Sequence, residues 1–117
     1  MELRDLVRAI VQGDLLTARQ WVADAYRMRL SWEHCQRPSD MDDQELAIAA
    51  GLAELLAQRI GAQAPSWTVA VGARKEPLLL DPGIEKMPRT LARARTHAPE
   101  SLRKRNLFAL PEFLDVR

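Results

Sequence analysis

His34 and Cys35 stand side by side, and imidazole next to thiol is the pairing that nucleophilic catalysis and zinc binding both use. A tetrahedral zinc site needs three or four ligands, but Cys35 is the only cysteine and the other histidine, His97, lies sixty-two residues further on. A Cys-His nucleophile also needs an orienting third group and an oxyanion hole, and no residue pattern here marks either. A loop histidine beside a half-buried thiol is the expected role. The acidic group Asp40, Asp42, Asp43 and Glu45 lacks the alternating Asp framework, glycine and closing glutamate of a calcium loop. It reads as a solvated helix start. The five glycines, at 13, 51, 61, 72 and 83, are scattered, so no phosphate-cradling loop is present. The sequence therefore predicts no metal, no cofactor and no enzyme.

Basic residues make a better candidate. Arg89 and Arg93 are spaced i, i+4 on one helix face, and Arg103, Lys104 and Arg105 follow after a turn. Residues 1–73 carry seven basic and ten acidic side chains, whereas residues 74–117 carry ten basic and six acidic. The first part is thus −3 and the second +4, within a chain whose net charge is only +1. That balance favours an acidic protein partner over a polyanion, with nucleic acid as the alternative. Trp32, at the ragged end of a helix beside His34, completes the candidate surface, because an exposed tryptophan there would suit an interaction hot spot.

The elements that must position these residues are helical. Leu3, Leu6, Val7, Ile10 and Val11 fall on one helix face, Gly13 can end that helix, and Asp14 can cap the next. A second helix is predicted from about Leu15 to Leu30, forming a helical hairpin with the first. A third runs from about Asp42 to Ile60, with apolar residues on most of its girth, and Gly61 closes it. Gly51 inside it costs about 1 kcal/mol against alanine, which a closely crossing neighbour would explain. The core is predicted to bring Leu52, Leu56 and Ile60 against Leu6, Ile10 and Val22.

From Ala64 the chain is punctuated by proline. Residues 68–71 and 78–80 are either two short paired strands or an extended loop, and the loop is favoured because an isolated strand pair is marginal. A fourth helix is predicted over Pro88–His97 and a short fifth from Glu100 to Arg105. The tail from Asn106 to Leu114 is too apolar to hang free, so Phe108 and Trp67 are expected to be substantially buried.

Length and composition fit this plan: 117 residues, 47% hydrophobic and 28% charged, make one helical domain over 1–117. A lone cysteine rules out an internal disulfide and suggests a reducing, cytoplasmic setting. The start, Met1-Glu2-Leu3-Arg4-Asp5, mixes charges unlike a secretory leader. Its longest uncharged apolar run, Leu46 to Ala53, is too short to span a bilayer, so no membrane partner is expected.

Two stretches carry a resemblance. Leu52-Ala53-Glu54-Leu55-Leu56-Ala57 with Gly61 and Ala64-Pro65-Ser66-Trp67-Thr68 is one; Ala98-Pro99-Glu100-Ser101-Leu102-Arg103-Lys104-Arg105-Asn106-Leu107-Phe108, after Glu76-Pro77-Leu78, is the other. Over about residues 46–117 the chain resembles uncharacterised small bacterial proteins and C-terminal modules of helix-turn-helix or toxin–antitoxin-associated proteins. The resemblance implies a regulatory or neutralising partner protein and brings no catalytic residues. Its first two helices carry no basic recognition face, so operator reading is not implied. The expected function is a non-enzymatic protein-interaction module, antitoxin-like or regulatory, with self-association left open.

Overall fold

In a computed structural model, which describes residues 2–116, the chain forms an all-α fold built on a helical hairpin and a long central helix. Met1 at the start and Arg117 in the C-terminal charge count lie outside the described residues. Helix α1 spans Leu3–Val11 and buries Leu3, Leu6, Val7 and Ile10 of the predicted stripe together with Ala9, whereas Val11, expected on the same face, ends the helix half exposed. Gly13 takes a φ of +73° and its N–H bonds Ile10 O, while Asp14 N–H reaches back to Ala9 O. That paired closure is a Schellman turn. Asp14 then caps α2, Leu15–Arg27, its carboxylate accepting from Thr17 N–H and Thr17 Oγ1.

Helix α2 stops short of the expected Leu30. Arg29 adopts a φ of +53°, its N–H bonds Tyr26 O and Leu30 N–H bonds Ala25 O, repeating the closure seen after α1. Arginine here takes the left-handed position that glycine takes elsewhere, so no residue type announced the stop. A 3₁₀ turn, Trp32–His34, follows.

Helix α3, Asp43–Arg59, opens on a capping box: Asp42 accepts from Glu45 N–H and Glu45 accepts from Asp42 N–H. Every residue from Ala47 to Ala57 is buried, as its apolar girth predicted. Gly61 closes it at φ +69°, with Ala62 N–H bonded to Ala57 O. Leu52 and Leu56 share one core with Leu6, Ile10 and Val22. Ile60 does not join them: at the helix end it is 46% exposed, because the last turn has passed beyond the hairpin it was expected to meet. Gly51 is the point of close approach. A Cβ there would lie 2.8 Å from Leu102 Cδ2 and 3.4 Å from Ser101 O.

The proline-punctuated segment forms neither a hairpin nor a plain loop. Residues Ser66–Ala70 wind into a 3₁₀ turn, and β1, Leu78–Leu79, pairs in parallel with β2, Leu107–Phe108. The partner strand comes from the tail, nearly thirty positions away. Leu78 N–H bonds Asn106 O at 3.1 Å and Leu80 N–H bonds Phe108 O at 2.9 Å. Helix α4 occupies Pro88–His97 and α5 Glu100–Arg103, two residues shorter than expected because Asn106 turns left-handed at φ +64°. The tail docks as its apolarity required, with Leu107, Ala109, Phe113 and Leu114 buried. Trp67 and Phe108 themselves are only half-buried; Leu107 is the residue that points inward.

Candidate functional site

The structure divides the six candidate residues between surface and interior. Trp32 is 1% exposed, packed with its ring centroid 6.1 Å from that of Trp21. It is a core residue of the hairpin, and the expectation of an exposed hot spot is corrected. The 3₁₀ turn that begins at Trp32 folds the ring under α2 instead of leaving it at a frayed helix end.

Arg105 is corrected in the same way. It is 2% exposed, and all three of its guanidinium nitrogens donate to groups of its own chain. Nε donates to Val71 O at 3.2 Å, Nη1 to Ser101 O at 2.9 Å, and Nη2 to Thr68 O at 2.8 Å and to Glu54 Oε1. Glu54 Oε2 accepts from Lys104 Nζ at 2.7 Å. One carboxylate on the central helix thus gathers two cations from the end of α5 and ties down the 66–73 segment. Burial would push the Glu54 carboxyl up, but the hydrogen bonds and positive charges of Lys104 and Arg105 outweigh it and hold the group below the ordinary glutamate value. The cluster works as a structural clamp, since every charged group in it is engaged by another. Lys104 keeps a foot in solvent, with 47% of its side chain exposed.

Sequence reasoning passed over Glu54, although a signal was present. It is the only charge between Leu46 and Ala57 on a helix apolar around its girth. A carboxylate so placed must either break the packing or find a buried cation.

The remaining residues stay on the outside. Helix α4 holds three arginines and His97 with no acidic residue, and Ala94 is its only fully buried side chain. At about 3.6 residues per turn, Arg89 and Arg93 lie on successive turns of the exposed side, with Arg95 on the opposite flank. Arg93 makes a two-pronged bridge to Glu112 at 2.8 and 3.0 Å, with both partners half in solvent. Arg103 pairs with Glu100 at 3.0 Å and donates to Thr96 O at 3.3 Å, which ties the end of α4 to α5. Arg89 and Arg95 are exposed.

Among the described residues no three His, Cys, Asp or Glu side chains converge as a metal site would require. Nor is any helix among them long and apolar enough to cross a membrane. Two other ionisable groups are perturbed by burial, which pushes up both the Cys35 thiol and the Asp81 carboxyl. Asp81 Oδ2 accepts from Leu110 N–H at 2.8 Å and so helps to seat the tail. No family model matches this chain, and neither do the curated proteins nor the solved structures with which it was compared.

Proposed function

We propose that the protein is a non-enzymatic interaction module, a regulatory or antitoxin-like partner, which docks an acidic protein surface on the exposed side of α4. The observation that carries this reading is the make-up of that helix: three arginines, no acidic side chain, and a single fully buried residue. A helix that contributes so little to the core leaves Arg89 and Arg95 in solvent, while Arg93 would have to exchange its bridge to Glu112 for a partner's carboxylate. The opposing charge on a partner would steer association and fix its register.

Nucleic-acid binding loses ground on the same geometry. Of the five cations that could have met phosphates, Arg105 is buried and Lys104 is shared with Glu54. Three are left, and Arg93 and Arg103 are already bridged to Glu112 and Glu100. Three phosphate contacts would give a log–log salt slope of only about −2.7 on duplex DNA.

The test compares the wild-type chain with Arg89→Gln/Arg93→Gln. Affinity capture from the native host, read by mass spectrometry, is expected to return an acidic protein whose recovery falls with the double variant. Duplex and single-stranded nucleic acid are expected to bind negligibly to both. A micromolar, salt-sensitive affinity for DNA or RNA that disappears in the double variant would overturn the proposal in favour of a nucleic-acid-binding protein.

A further inference from the structure

We propose that the cleft between the start of α1 and the 30–39 loop is a binding site for a small organic anion: a phosphate or carboxylate head on a short apolar body. It is independent of the α4 surface and of the docking role assigned to it. The cleft encloses about 520 Å³, within the range of roughly 300–1,000 Å³ that small-molecule sites occupy. Leu3, Leu30 and Pro38 line it with apolar surface, while Arg4, Arg37 and His34 bring the polar groups.

Charge decides what would enter. Two arginines and one carboxylate line the cleft, and that carboxylate, of Glu2, bridges a single guanidinium nitrogen of Arg4 at 3.0 Å. Arg4 Nε has no acceptor among the described residues. Arg37 is exposed, and no hydrogen bond or ion pair among the described residues engages its guanidinium. Ser31 Oγ lies 2.8 Å from His34 Nδ1, which holds the imidazole in place at the cleft wall. Burial pushes the Cys35 thiol up, so it lines the wall as a neutral S–H and adds no competing negative charge.

The walls are held in place before any ligand arrives. Trp21 Nε1 donates to Glu2 O at 3.1 Å, and Trp67 Nε1 donates to Cys35 O at 2.8 Å. Cys35 N–H closes the turn on Trp32 O at 3.1 Å, over the buried Trp32 ring. A preformed site avoids the cost of ordering a loop on binding. The His34-Cys35 pair that invited a metal reading thus belongs to the wall of an anion cleft.

Phenyl phosphate titrated into the full chain, followed by backbone amide NMR, tests the proposal. Saturable shifts confined to residues 2–4 and 30–39 are expected. Arg37→Gln should weaken the affinity about tenfold, the worth of one charge-assisted hydrogen bond, with an unchanged thermal melt because Arg37 holds nothing together. Benzoate should bind at the same residues, and benzyl alcohol, of the same shape without the charge, should not. Inorganic phosphate should bind more weakly than phenyl phosphate; equal affinity would overturn the organic part of the assignment. The proposal fails altogether if phenyl phosphate leaves these amides unmoved, if Arg37→Gln binds as well as wild type, or if benzyl alcohol matches the anions.

Discussion

Glu54→Gln removes the charge from the clamp while keeping the volume of the side chain. The neighbouring guanidinium of Arg105 is 2% exposed and cannot turn to water for compensation. Breaking a buried pair by taking away one partner costs about 3–5 kcal/mol. Arg105 retains the carbonyls of Thr68, Val71 and Ser101, and the amide oxygen of glutamine can still accept one bond, so the low end applies. A loss of about 3 kcal/mol is a large share of a total stability near 6–17 kcal/mol for a chain this size. It would lower Tm by roughly 10 °C. Urea melts of Glu54→Gln, Arg105→Met and a double Glu54→Leu/Arg105→Met variant would measure it, the double costing less than the sum of the singles because neither charge is then stranded. Arg103→Gln, whose partner Glu100 is mostly solvated, is the control and should stay within about 0.5 kcal/mol. The penalty of Glu54→Gln should also shrink in acid. The folded carboxyl lies below its ordinary value of 4.5, so its stabilisation is complete above that value and is lost as pH falls through the lower folded one. A cost under about 1 kcal/mol at neutral pH would refute the clamp.

Other perturbations follow from the same packing. Gly51→Ala gains about 1 kcal/mol of helix propensity but drives a methyl to 2.8 Å from the buried Leu102 side chain, with the backbone of Ser101 behind it. Overpacking at about 1–3 kcal/mol should win, giving a lower melting midpoint. Leu56→Ala, at a fully buried site, should cost roughly 2–5 kcal/mol, whereas Ile60→Ala should cost well under that, since the side chain is 46% exposed. Removing residues 106–117 takes away β2 together with Phe113 and Leu114, and a steep fall in melting temperature is expected; an unchanged melt would mean that the tail contributes nothing. Asp81→Asn should raise stability at pH 7, because burial raises the folded carboxyl above its ordinary 3.8 and the native state therefore favours the neutral form. That advantage should narrow as the pH is lowered towards 4 in parallel thermal melts, where the wild-type carboxyl protonates as well.

The helices were legible wherever a residue type has one dominant backbone consequence. Asp14 caps, the acidic group around Asp42 opens α3, Gly13 and Gly61 close, and the apolar spacing of α1 and α3 names most of their buried sides. The end of α2 was not legible, because Arg29 takes the left-handed turn without the side chain that usually marks it. Trp32 was misplaced for a related reason: an aromatic at a helix terminus is equally consistent with burial and exposure until the following turn is known. In the candidate site, the i, i+4 spacing put Arg89 and Arg93 on one exposed side of α4. The grouping of Arg103, Lys104 and Arg105 misled, since three adjacent cations point in different directions and only one enters the core.

What the sequence determined by itself was local: the helix starts, the glycine-marked ends of α1 and α3, and most of the apolar stripe of the hairpin. These depend on neighbours within a few positions, where backbone geometry and side-chain chemistry act directly. Tertiary structure alone decided which distant partners would meet. It paired Leu78–Leu79 with Leu107–Phe108, delivered Arg105 to Glu54 across half the chain, and closed a basic cleft between α1 and the loop after α2. The physical reason is that a desolvated charge or an unpaired strand edge states only that it needs a partner. Which partner it finds depends on how the helices pack, and that is set by the whole core at once.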